Sequence, residues 1–160
     1  MAESERKFAA IGAGSNLGDR QANINAAVAK LTTTPGVQMQ AVSNLLENPA
    51  VGGPPDSPPF LNAAIAIQTT LPPTELLERL LEIEKSLGRD RRQKWDPRPI
   101  DLDLLLYGDA IIHQPGLVVP HPLMHQRRFV LQPLAEIAPH AMHSLFNRTV
   151  AELLAELDQN

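Results

Sequence analysis

Trp95-Asp96-Pro97-Arg98-Pro99-Ile100-Asp101-Leu102-Asp103 runs straight into Leu104-Leu105-Leu106-Tyr107. The two prolines stiffen the approach, and the apolar run predicts a strand from Ile100 to Tyr107. On a strand, side chains at i and i+2 share a face, so Asp101 and Asp103 point one way and Ile100 and Leu102 the other. Neighbouring carboxylates repel and need a counter-charge, which a hard cation such as Mg²⁺ supplies where phosphates are held. Arg89, Arg91, Arg92, Lys94 and Arg98 lie just upstream, a cluster suited to the phosphate oxygens that a metal leaves free. Residues alone leave two readings open: a metal site, or solvated or ion-paired acids on an edge strand. The leucines around the acids predict burial on both faces and a central place in the sheet, where unpaired acids are expensive.

Working outward, Phe8 to Ile11 predicts a first strand, closed by a glycine-rich turn from Gly12 to Asp19. Ile24, Ala27, Val28 and Leu31 then fall at helical spacing and predict a helix over Arg20 to Leu31, ended by Thr34-Pro35-Gly36. Alternation from Val37 to Leu45 predicts a second strand, and alternation from Leu61 to Thr69 a third. Pro73 suits the first position of a second helix, whose buried stripe is Leu76, Leu80, Ile83 and Leu87, with Gly88 just past its end. After the fourth strand, Gly108-Asp109 predicts a tight turn and Ala110 to Ile112 a short return strand. Pro122 to Ile137 reads as one or two short helices, and Val150, Leu153, Leu154 and Leu157 as a C-terminal helix. Strand, helix, strand, strand, helix, strand is the βαββαβ order of a ferredoxin-like α+β fold, an antiparallel sheet with helices packed on it and a helical C-terminal appendix.

The 160 residues suffice for one domain with its own core. Without cysteine, disulfides, thiolate metal sites and cysteine nucleophiles are excluded. The polar start and the lack of a long apolar run predict a soluble cytoplasmic protein with no membrane partner. A net charge of -4 argues against coating nucleic acid, and five of the fourteen Lys+Arg fall between Arg89 and Arg98, which marks a local anion site. Pro49, Pro54, Pro55, Pro58 and Pro59 mark a long stiff loop.

Other motifs are weaker. Gly12, Gly14 and Gly18 miss the dinucleotide spacing because Leu17 stands at the third glycine position, and no phosphate-loop lysine follows. His121 and His125 stand four apart and could share a helix face, but the glutamate of a zinc-protease helix is missing and Pro122 interferes, so one histidine donating to phosphate is preferred to a zinc site. His140 and His143 show no pattern. Trp95, in a polar loop, can stack on a planar ligand or cover an apolar patch.

Together these pieces resemble the 6-hydroxymethyl-7,8-dihydropterin pyrophosphokinases, from Ala9 to about Pro139. The resemblance is carried by Gly14-Ser15-Asn16-Leu17-Gly18-Asp19-Arg20, Phe60-Leu61-Asn62-Ala63-Ala64, Gly88-Arg89, Pro97-Arg98-Pro99-Ile100-Asp101-Leu102-Asp103, Val119-Pro120-His121-Pro122 and Arg127-Arg128-Phe129. It implies transfer of pyrophosphate from ATP to the hydroxymethyl group of the reduced pterin, leaving AMP. It further implies that Asp101 and Asp103 ligate two Mg²⁺ ions, that Arg89 and Arg98 with Arg91 or Arg92 grip the phosphates, and that His121, Arg127 and Glu84 serve the nucleotide. For the pterin it implies Asn62 at the ring edge, backbone near Pro49 and Val51, and stacking between Phe129 and Trp95. The loops around Asn48 to Pro59 and Arg89 to Trp95 would close over the substrates, and the chain would act as a monomer on small molecules.

Phe60 stands where the family often has tyrosine, keeping the packing beside the pterin without the hydroxyl. Leu46 replaces an aromatic, Pro122 stands where some members carry tyrosine, and the loop after Gly88 is one residue shorter than in some. Two other functions use the same features: a different two-metal phosphoryl or nucleotidyl transferase, and a non-catalytic ferredoxin-like module that binds a small ligand or RNA.

Overall fold

The computed structural model describes residues 5–49, 56–88 and 99–159. Its elements follow the expected order: β1 (Lys7–Ser15), α1 (Arg20–Thr32), β2 (Val37–Val42), β3 (Leu46–Asn48), β4 (Phe60–Thr69), α2 (Pro73–Ser86) and β5 (Asp101–Tyr107). After them come β6 (Ile112–Gln114), β7 (Leu117–Val119), α3 (Arg128–Ile137), β8 (Met142–His143), β9 (Arg148–Thr149) and α4 (Val150–Asp158). The main sheet runs β2-β4-β1-β5, with β3 also paired to β4, and each of these pairings is antiparallel. This is the expected ferredoxin-like α+β arrangement.

Local chemistry explains the element ends. Asp19 caps α1 by accepting from the Ala22 N–H at 3.1 Å, and Thr149 and Glu152 form a reciprocal capping box on α4. Pro73 opens α2, and Gly88 follows it at φ 96°, a left-handed conformation that glycine adopts without a Cβ penalty.

One face of the sheet carries Ile11, Ile65, Ile67, Leu102 and Leu104 against Ile24 and Leu31 of α1 and Leu76, Leu80 and Ile83 of α2. The other carries Ala10, Ala64, Leu105 and Leu106 against Leu131 and Leu134 of α3 and Val150 and Leu153 of α4. Leu105 and Leu106 reach this same face although they are consecutive. The β1–β5 register slips there, Ala10 opposing Leu106 while Ile11 opposes Leu104, so Leu105 is the extra residue of a β-bulge.

Four expectations need correction. The strand bearing the acids is an edge, not central, because in this topology the last strand adds outside β1. Gly12 to Ser15 belong to β1 rather than to a turn. Gly12 lies under Leu105, and a Cβ there would make an ordinary van der Waals contact, 3.5 Å from Leu105 Cδ1. The expected second strand, Val37 to Leu45, stops at Val42, where the Ser43 hydroxyl takes the Ala64 N–H at 2.8 Å, and β3 begins at Leu46, past the expected end. Finally, the return strand is β6 and pairs with β7 rather than β5, closing a hairpin at Pro115-Gly116.

Candidate active site

The β1–β5 register sets Asp101 opposite Gly14 and Asp103 opposite Gly12, and on the other side of β1 Asn62 is also opposite Gly14. Directly opposed residues point to the same face. Asn62, Gly14 and Asp101 therefore form one row, with strands about 4.8 Å apart, and Asp103 lies one step along. Asp101 is half-buried and Asp103 exposed.

A cleft of about 980 Å³ runs along the outer edge of β5, lined among others by Glu84, Lys85, Asp101, Asp103 and His121. Two neighbours bond to the backbone of that strand. The Leu102 N–H donates to Glu84 Oε2 at 2.7 Å, and the His121 N–H donates to the Leu105 carbonyl at 2.9 Å. Glu84, 3% exposed, thus braces the strand backbone between the two acids while lining the cleft.

His121 is chemically defined. Its Nδ1 accepts from the Leu123 N–H at 3.2 Å, which leaves the proton of the neutral ring on Nε2. Burial, aided by the positive charge of Arg127 and opposed by Asp101, pushes its pKa below the ordinary histidine value. The ring is therefore a neutral Nε2–H donor near pH 7. Arg127 also lies over the Phe129 ring, 5.7 Å from its centroid.

On the Asn62 side, the Asn62 amide donates to the side-chain oxygen of Asn48 and weakly to the Leu46 carbonyl at 3.5 Å. A Cβ on Gly14 would come within 3.1 Å of Asn62 Oδ1 and 3.3 Å of Phe60 Cδ1. Pro49 follows Asn48, whose amide donates to its carbonyl at 2.8 Å.

The structure thus brings Asp101, Asp103, Glu84 and His121 to one cleft, and Asn62 and Phe60 beside Gly14. Arg127 and Phe129 enter at the start of α3. Arg89, Arg91, Arg92, Trp95, Arg98 and Val51 lie outside the described residues. His125 does not share a helix face with His121. It sits in the 3-10 turn Met124–Gln126 and meets Phe146 and His143, at 4.6 Å and 6.2 Å between ring centroids. His143, for which the sequence showed no pattern, is buried and stacks on Phe146 at 4.4 Å. Lys85 and Asn48 were not singled out. Lys85 follows Glu84 on the last turn of a helix facing the cleft, which is a readable signal, whereas the Asn48–Asn62 contact depends on strand register.

Among the described residues no group of three or more His, Cys, Asp or Glu gathers as a metal site, and no helix is long and apolar enough to cross a membrane.

The fold is a ferredoxin-like α+β sandwich whose edge strand borders a cleft that gathers the carboxylates of Glu84, Asp101 and Asp103 beside His121 and Lys85. The family model of 7,8-dihydro-6-hydroxymethylpterin-pyrophosphokinase (HPPK) matches residues 10–139, and the chain belongs to that family. It is 47% identical over 148 residues to a 2-amino-4-hydroxy-6-hydroxymethyldihydropteridine pyrophosphokinase of Methylorubrum extorquens, covering 92% of each chain. It is 39% identical over 150 residues to the protein of that name from Synechocystis sp., covering 94% of this chain and 76% of the other. Among solved structures it resembles a Plasmodium falciparum HPPK-DHPS variant with pterin and p-hydroxybenzoate, at a TM-score of 0.71 and 15% identity, covering 94% of this chain. The chain spans 44% of that longer protein, and the likeness supports the fold.

Proposed function

We propose that this chain transfers the terminal pyrophosphoryl group of ATP to the hydroxymethyl oxygen of 6-hydroxymethyl-7,8-dihydropterin, releasing AMP, as a step of folate biosynthesis. The observation that carries this reading is the row Asn62–Gly14–Asp101. It sets a ring-reading amide and a phosphate-side carboxylate on one face, two strand spacings or roughly 10 Å apart, with a glycine between them. A flat bicycle held at its amide edge by Asn62 extends its hydroxymethyl arm over Gly14 toward the acids.

In the reaction the pterin hydroxyl oxygen attacks the β-phosphorus and its proton is released to solvent, while the bond from that phosphorus to the oxygen bridging it to the α-phosphate breaks and AMP leaves with that oxygen. Asp101 and Asp103 fit Mg²⁺: they are two hard oxygen donors on an accessible edge, and Mg²⁺ commonly takes one or two carboxylates with water and phosphate oxygens completing its shell. Two bound ions would offset charge on the entering and leaving oxygens. His121 donates through Nε2 to a phosphate oxygen, and Arg127 adds positive charge beside it. Glu84 fixes the Leu102 backbone and so the spacing of the acids, and Lys85 presents a cation to the cleft.

Arg89, Arg98 and Arg91 or Arg92 grip the phosphates in this reading, and Trp95 faces Phe129 across the pterin, with Val51 and Pro49 supplying backbone contacts. These roles are supported by the family motif. Phe60 packs beside Asn62 and Gly14. The protein is further taken as one domain, a monomer in the cytoplasm acting on small molecules. The sheet shared by β1 through β5, with α3 and α4 packed on the same sheet, supports the single domain.

The test is incubation with Mg²⁺, ATP and the pterin, with both products identified by mass. AMP and a pterin diphosphate are expected; ADP with a pterin monophosphate, or released pyrophosphate, would assign another transferase.

A further inference from the structure

Arg20 occupies the first position of α1, directly after the capping carboxylate of Asp19, at the end where the helix dipole disfavours a cation. Its guanidinium instead reaches away from the helix. It pairs with Glu47 Oε2 at 2.8 Å and donates to the Pro59 carbonyl at 3.1 Å. Glu47 lies in β3, where the chain enters the proline-rich segment, and Pro59 is where it comes back, one residue before β4. Next to this contact Asn16 donates to the Pro58 carbonyl at 3.4 Å.

The prolines make such donors necessary. Pro58 and Pro59 have no N–H, so this stem offers only carbonyls and cannot extend the β3–β4 ladder beyond Phe60. β3 is a strand of three residues, Leu46–Asn48, and its sheet partner is β4. Its register places Asn48 opposite Phe60 and Leu46 opposite Asn62, and Asn48 is the residue whose oxygen receives the Asn62 amide. A clamp that holds Glu47 and Pro59 together therefore sets how Asn62 presents its amide.

We infer that Arg20 is a positioning residue for the pterin half of the site: it ties the two stems of the proline-rich segment and, through β3, orients Asn62. This rests on the pterin reading above. Arg20 does not touch substrate in this account. The ion pair is partly solvated, so its worth is registration rather than stability.

The test compares Arg20→Ala, Arg20→Lys and Glu47→Gln with the unaltered chain by steady-state kinetics in each substrate, thermal unfolding and the side-chain amide NMR signals of Asn48 and Asn62. Arg20→Ala should raise the KM for the pterin about tenfold while the KM for ATP stays within about twofold, since a small misplacement penalises only the substrate being placed. The melting temperature should barely move, Arg20→Lys and Glu47→Gln should fall between, and both asparagine amides should shift while that of Gln68 does not. Equal rises in both KM values, an unchanged pterin KM, or unmoved asparagine amides would overturn the inference. If the unaltered chain makes no AMP, the activity reading fails by itself, and the amide spectra still decide whether Arg20 sets Asn48 and Asn62.

Discussion

Two halves of one sheet face behave in opposite ways. At one end Ala10, Ala64, Leu105 and Leu106 are sealed under α3 and α4; at the other Gly14, Asn62, Asp101 and Asp103 share the same face and carry polar groups or no side chain at all. The strands are the same, and β5 contributes to both halves. What lies over them differs: α3 and α4 pack on the bulged half, whereas in the other half Gly14 and Asn62 are buried beside Phe60 and Asn48 and the face opens to solvent at β5, from half-buried Asp101 to exposed Asp103, as a polar shelf at the sheet edge. A single strand can thus carry stability and chemistry a few residues apart, with little exchange between them.

The sharpest way to break that comparison is to mutate each half and read both properties. Asp101→Ala and Asp103→Ala should each slow turnover at least about a hundredfold, since the metal-held charge is worth several kcal/mol in the transition state, with little change in melting temperature. Leu131→Ala, under the covered half, should do the reverse, lowering stability by about 2–5 kcal/mol and leaving kcat nearly unchanged in the folded fraction. Matching losses of both properties in both mutants would dissolve the distinction.

Glu84→Ala tests the boundary, because Glu84 lines the cleft yet bonds a core-strand amide. Losing that acceptor should cost about 1–3 kcal/mol of stability for the Leu102 N–H, together with a higher KM for ATP. Glu84→Gln, which retains an acceptor, should recover most of the stability in denaturant titrations. On the polar shelf, Gly14→Ala is a smaller perturbation. The added Cβ meets Asn62 Oδ1 and Phe60, so those side chains must give way by a few tenths of an ångström. A pterin KM raised about three- to tenfold, with ATP affinity kept, is expected in titrations of each substrate.

The smallest effect is on pH. Burial lowers the pKa of both His121 and His143 in the fold. As the pH falls below the unfolded histidine value of about 6.5, the unfolded chain takes up protons that the folded chain still refuses. Stability is therefore full above that value and declines as the pH drops toward the depressed folded values. Melting curves between neutral and mildly acidic pH should show the decline, and His143→Gln should flatten part of it. Its persistence without change in that variant would assign it elsewhere.

Much of this was legible beforehand, and for definite reasons. Helical spacing in α2, alternation in β4 and the acids at i and i+2 are local properties, and local patterns survive into the fold. The resemblance supplied the family, which the family model bears out, and the roles proposed for Asp101, Asp103, Asn62 and His121. The edge position of β5 was misread because leucines on both faces suggest a central strand, whereas here helices cover the two faces and the cleft takes the edge. The slip that sends Leu105 and Leu106 to one face is a matter of pairing between distant strands, which no local period reports. The Pro115-Gly116 turn between β6 and β7 went unread, although its dipeptide is a turn signal. The Asn48–Asn62 bond and the Arg20 contacts with Glu47 and Pro59 join residues far apart in the chain, and only the folded register brings them together; the stacking of His143 on Phe146, three residues on, is local to the β8–β9 turn.

The central claim is that Asp101 and Asp103 form the metal-holding end of the polar shelf. It is tested most directly by counting Mn²⁺ bound, as a Mg²⁺ surrogate, by electron paramagnetic resonance in the presence of a non-hydrolysable ATP analogue and the pterin. The account predicts two ions per chain, with occupancy sharply reduced in Asp101→Ala and in Asp103→Ala although both variants remain folded. Undiminished Mn²⁺ binding in the two variants would contradict it.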